Sequence, residues 1–81
     1  MERSVARARN VLVLEQLERS ARALTVMPRW MASSVTATRS VPRSELATFR
    51  ALASAVARRY DLYVTVEEGD LSSACFFRRD E

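Results

Sequence analysis

Arg43, Arg50 and Arg58 fall within an arc of about 80° when the chain is wound at 100° per residue, with Ala47 and Ser54 between them and no acid interrupting the row. A line of guanidinium groups is suited to one chemistry, the bidentate donation of hydrogen bonds to phosphate or carboxylate oxygens. Arg39 just before this segment and Arg59 near its end extend the row. Its natural partners are a phosphate backbone or an acidic protein surface. A merely solvated helix face would carry the same pattern.

A second group of recognition-type residues lies in Met27-Pro28-Arg29-Trp30-Met31. Trp and Arg dominate interface hot spots, and Met adapts to varied partners. Trp30 is therefore either a plug at the edge of a small core or, with Arg29, the anchor of a protein contact. Arg3, Arg7 and Arg9 form a further basic cluster at a helix start, where solvation is the simpler reading. Tyr63, Phe76 and Phe77 lie where a base-stacking sheet would present aromatic rings. A thin core needs such side chains, however, and that need assigns them to packing. Cys75 reads as a small buried hydrophobe. Glu67, Glu68 and Asp70 read as a solvated turn, because one short turn offers too few fixed oxygens for a dedicated cation site. The closing Arg78 and Arg79 are followed at once by Asp80 and Glu81 and form a weak signal.

Other chemistry is excluded by what the chain lacks. There is no histidine, so the usual acid/base group at neutral pH, the Ser-His and Cys-His nucleophile pairs and imidazole metal sites are all missing. The one glycine cannot supply a P-loop or a dinucleotide fingerprint. The one cysteine makes neither an internal disulfide nor a zinc knuckle. No apolar run reaches the roughly 18 residues of a membrane span, and no signal-peptide pattern opens the chain. The expectation is a cytoplasmic, non-enzymatic protein that needs no cofactor and no metal.

The 81 residues, 48 % of them hydrophobic, suffice for one thin core. Twelve of the hydrophobic residues are alanine, and each of the 13 basic residues is arginine, giving a net charge of +3. Lysine and isoleucine are absent together while alanine, arginine and valine abound, a pattern that GC-rich codon usage produces without selection for function. The charge total therefore says less than the location of particular arginines.

The elements that must position these residues follow from periodicity. Val11, Leu14, Leu17, Ala21 and Leu24, extended backwards by Ala8 and Val5, form one apolar stripe and predict a helix over residues 3–24. Glu15 with Arg19 and Glu18 with Arg22 add i,i+4 pairs; residues 11–14 alone would also suit a short strand. Pro28 ends the helical period, and the alternating, β-branched stretch 33–39 predicts a strand. Pro42, a cap at Ser40 or Ser44, and Glu45 mark a second helix start. Leu46, Phe49, Leu52, Ala53, Val56 and Tyr60 then share one face as far as Arg59. Asp61 breaks the pattern. Residues 62–66 and 71–78 flank Gly69 as a hairpin whose turn calls for a positive φ at the glycine, with a two- or three-residue loop.

The predicted fold is a single α+β domain over residues 1–81, of order α-β-α-β-β. Two helices pack on a three-stranded sheet that ends in a C-terminal hairpin. Elimination leaves binding as the function. The expected role is that of a small protein acting stoichiometrically on a larger protein or nucleoprotein partner. It would be a regulator or inhibitor of the kind carried by phages and mobile elements, directed at a host defence complex in an anti-CRISPR-like manner. Direct binding of nucleic acid through the arginine row is the alternative. An exposed sheet face or edge on so small a domain invites pairing, so monomer and homodimer both fit.

Overall fold

The computed structural model describes residues 2–79, with side chains over residues 8–79. The first helix, α1, runs Glu2–Val26 and includes residues 11–14, so the strand alternative for them is overturned. Its buried seam is Val13, Leu17, Ala21 and Leu24, at spacings of 4, 4 and 3. Of the predicted stripe, Leu17, Ala21 and Leu24 are buried and Leu14 packs half-buried against the core, but Val13 replaces Val11, which is exposed beside Leu12. Val5 lies outside the described side chains, as do Arg3 and Arg7. At 25 residues α1 is roughly 37 Å long.

Pro28 stops the chain from continuing as helix, and a turn leads into β1 (Ser34–Arg39). Here the predicted caps fail. Arg43–Glu45 forms a 3₁₀ turn in which the Glu45 N–H donates to the Pro42 carbonyl at 2.8 Å, and no side chain caps it. The α-helix proper, α2, begins only at Leu46 and ends at Arg59. Glu45 does not turn back onto the helix amides, because its carboxylate is held by Arg9 at 3.2 Å. Phe49, Ala53, Val56 and Ala57 are the buried positions of α2.

At the end of α2, Asp61 takes up a left-handed conformation with φ 56°. This is the C′ geometry that terminates many helices, and Asp tolerates it better than most side chains. The Asp61 N–H donates to the Arg58 carbonyl at 3.3 Å, one of the two bonds of a Schellman ending. Reversal of the chain is thereby tight enough to start β2 (Leu62–Glu67) at once.

β3 (Ser72–Arg78) completes the sheet and lies in its centre, in the order β1-β3-β2 and antiparallel to both neighbours. The predicted α+β arrangement is therefore present, with β1 joining the sheet through the last strand. Gly69 is not in a left-handed conformation, contrary to the hairpin turn expected of it. Residues 68–71 form a longer connection that spreads the reversal over four residues, so none of them needs a positive φ.

Register fixes the two faces. Val35, Phe76 and Val64 form one row across the sheet and Ala37, Ala74 and Val66 the next, both against the helices. Alanines at 21, 37, 53, 57 and 74 are all at least nine-tenths buried. Small side chains let the layers approach closely, and Phe49 and Phe76 fill what remains. The opposite face carries no helix.

Candidate functional site

Three elements meet where α1 runs out: the turn after it, the start of β2 and the end of β3. The Met31 N–H donates to the Pro28 carbonyl at 2.9 Å and closes a four-residue turn with Arg29 and Trp30 at its centre. Trp30 is 84 % exposed, so it does not plug the core. Arg78 holds this end together. Its guanidinium donates to the carbonyls of Leu24 and Met27, and its Nε to that of Ala32 at 3.2 Å. The C-terminal carbonyls of α1 are orphaned acceptors at the negative end of the helix dipole, so a cation from β3 satisfies hydrogen bonding and charge together. Arg78 is therefore structural rather than the weak tail signal its sequence context implied.

On the uncovered side of the sheet, the alternation places Tyr63 and Phe77 outward. They are direct cross-strand partners, 54 % and 37 % exposed. Of the three aromatics assigned to the core from sequence, only Phe76 is there. The alanine-lined core is too close-packed to need the other two. Arg79 lies over the Tyr63 ring, 4.4 Å from its centroid, and its Nε is 2.8 Å from the Asp61 carboxylate. A depression of about 390 Å³ is lined by Arg29, Ser33, Tyr63, Phe77 and Arg78, within the range of small-ligand sites. Cys75, in the next row of this face, is half-buried rather than part of the core, and the Thr36 hydroxyl donates to its sulfur at 3.3 Å.

The arginine row is dispersed in its roles. Arg43, Arg50 and Arg58 are all exposed, but Arg43 sits in the 3₁₀ turn and so departs from the 100° periodicity. Arg50 pairs with Glu68 at 2.6 Å, a partner outside the helix that periodicity could not reveal. Arg59 reaches Glu18 of α1 at 2.9 Å, a partner from another element beside the Arg22 that the i,i+4 spacing supplies. Arg39 lies on the helix-covered face and donates to the Gln16 side chain at 3.2 Å, while Gln16 donates to the Thr38 carbonyl. Arg43 and Arg58 have no side-chain partner among the described residues. The Arg22 guanidinium is held above its ordinary pKa by its hydrogen bond to Tyr60, by attraction to the same group and by Glu18.

Among the described residues, no three Asp, Glu, Cys or His side chains are grouped to hold a metal ion, and no helix is long and apolar enough to cross a membrane. What the site offers is an aromatic pair flanked by guanidinium groups, beside a turn that displays tryptophan. Compared with protein-family models, with curated proteins and with solved structures, the chain shows no significant match.

Proposed function

We propose that this chain is a small non-enzymatic binding protein that acts stoichiometrically on a larger protein or nucleoprotein partner. The role is that of a cytoplasmic regulator or inhibitor, of the kind phages and mobile elements direct at host defence complexes. The observation that carries the reading is Trp30, displayed at the tip of a closed turn beside Arg29. Large aromatic anchors supply most of the binding energy at interfaces, and exposed charges supply steering. Trp30 is suited to the first task and Arg43 and Arg58 to the second. The absence of histidine from the sequence supports a role without catalysis. Direct binding of nucleic acid along α2 is the alternative reading, in which Arg50 and Arg59 would exchange Glu68 and Glu18 for phosphates.

The test is affinity capture with the full chain from the cells in which it is naturally expressed, in parallel with Trp30→Ala and with the triple Arg43→Glu, Arg50→Glu, Arg58→Glu variant. One complex retained at a fixed ratio by the wild type and lost with Trp30→Ala is expected. Capture that is indifferent to both variants would overturn the assignment.

A further inference from the structure

We propose that the uncovered sheet face binds single-stranded nucleic acid, with two successive bases stacked on Tyr63 and Phe77 and the intervening backbone held by Arg29 and Arg79. The proposal rests on the binding role above and names a ligand for it.

The two rings project from directly opposed positions on β2 and β3, and opposed side chains on a sheet stand about 5 Å apart. That spacing suits neighbouring bases of an extended strand better than the continuous stack of a duplex. Base–aromatic stacking requires an open ring surface; both rings are exposed to solvent, and the Arg79 guanidinium that lies over Tyr63 must swing aside to admit a base there. The depression between Arg29, Ser33, Tyr63 and Phe77 admits a ring of base size. Arg79 already shows the ring's attraction for a cation. Its bond to Asp61 is between exposed groups, of a kind that contributes little and exchanges readily for a phosphate.

The rest of the face agrees. Thr36, Cys75 and Thr65 form the next row, and Thr38, Ser73 and Glu67 the last. Hydroxyl groups suit sugar and base edges. They do not suit a stable self-interface, which is usually apolar. Glu67 at the far end repels a phosphate, so the strand is confined to the aromatic end and the footprint is short.

The experiment is fluorescence anisotropy with the full chain and end-labelled 12-mers of oligo(dT) and oligo(U), beside a duplex of equal length. Single strands are expected to bind with Kd on the order of 10⁻⁴–10⁻⁶ M at physiological salt, the range of sequence-independent contacts, and more tightly at low salt. The duplex should bind more weakly. Tyr63→Ala and Phe77→Ala should each weaken binding about tenfold, and Tyr63→Trp should retain it. Arg29→Ala and Arg79→Ala should each flatten the salt dependence by about 0.7 in log Kd per log salt. Circular dichroism melts check that every variant is folded.

No binding of single strands at low salt overturns the proposal, as do preference for the duplex and indifference to Tyr63→Ala and Phe77→Ala. Self-association that is lost with the same two variants, in place of oligonucleotide binding, also overturns it. Capture of a partner that survives nuclease treatment and the loss of both rings would sink this inference while leaving the proposed function standing.

Discussion

The Arg78 guanidinium donates a hydrogen bond to the carbonyl of Leu24, 54 residues earlier in the chain. With the bonds to Met27 and Ala32, it fixes the end of α1, the turn that presents Trp30 and the last strand as one unit. Charge-assisted bonds in a part-buried setting are costly to remove. Arg78→Ala is expected to lower the unfolding free energy by about 2–4 kcal/mol. Arg78→Lys should recover only part of this, since an ammonium lacks the planar fork. The neighbouring Arg79→Ala should cost no more than about 1 kcal/mol, because its contacts are exposed. Urea titrations followed by circular dichroism separate the two, and equal losses would contradict the structural role of Arg78.

Asp61 occupies left-handed backbone at φ 56°. A β-branched side chain is strained there, so Asp61→Val should destabilise by about 1–2 kcal/mol. Asp61→Gly removes the strain while losing only the exposed pair with Arg79, and should lie within about 0.5 kcal/mol of the wild type or above it. Thermal melts of the two variants side by side are the measurement. Equal destabilisation would show that the ion pair, rather than the conformation, dominates.

Ser72 is fully buried, and its hydroxyl has no hydrogen-bond partner among the described residues. Replacing an unsatisfied buried polar group by an apolar one removes a desolvation penalty. Ser72→Ala is expected to raise stability by about 1 kcal/mol. A loss of stability would reveal a partner for the hydroxyl.

Charge and anchor should act on different rate constants. Reversing Arg43, Arg50 and Arg58 to glutamate sacrifices one exposed pair, with Glu68, and should change folding stability by no more than about 1 kcal/mol. Against a captured partner, the triple variant should slow association and invert its salt dependence, whereas Trp30→Ala should speed dissociation. Surface plasmon resonance at two salt concentrations distinguishes these effects; a triple variant altered only in dissociation would speak against steering.

The helices and the sheet layer were legible in the sequence because their signals are local. Leu17, Ala21 and Leu24, and likewise Phe49, Ala53 and Val56, recur at helical spacing and are all buried. Placement of β1 against β3 was not legible, since it depends on which strand pairs with which across more than 30 residues. The positions of Tyr63 and Phe77 were misread for a different reason. Counting large side chains assumed a core that needed them, whereas the five buried alanines draw the layers together and make them superfluous. Arg50 and Arg59 could be placed on a helix from sequence, but their partners Glu68 and Glu18 come from other elements.

The central position of β3 also has a consequence during synthesis on the ribosome. Both strand pairings in the sheet involve β3, so no sheet hydrogen bond can form until residues 72–78 leave the exit tunnel. Before then α1 and α2 can pack only on each other, without the sheet that completes the burial of Leu17, Ala21 and Phe49. Completion of the core must await β3, through contacts that are distant in sequence and correspondingly slow to find.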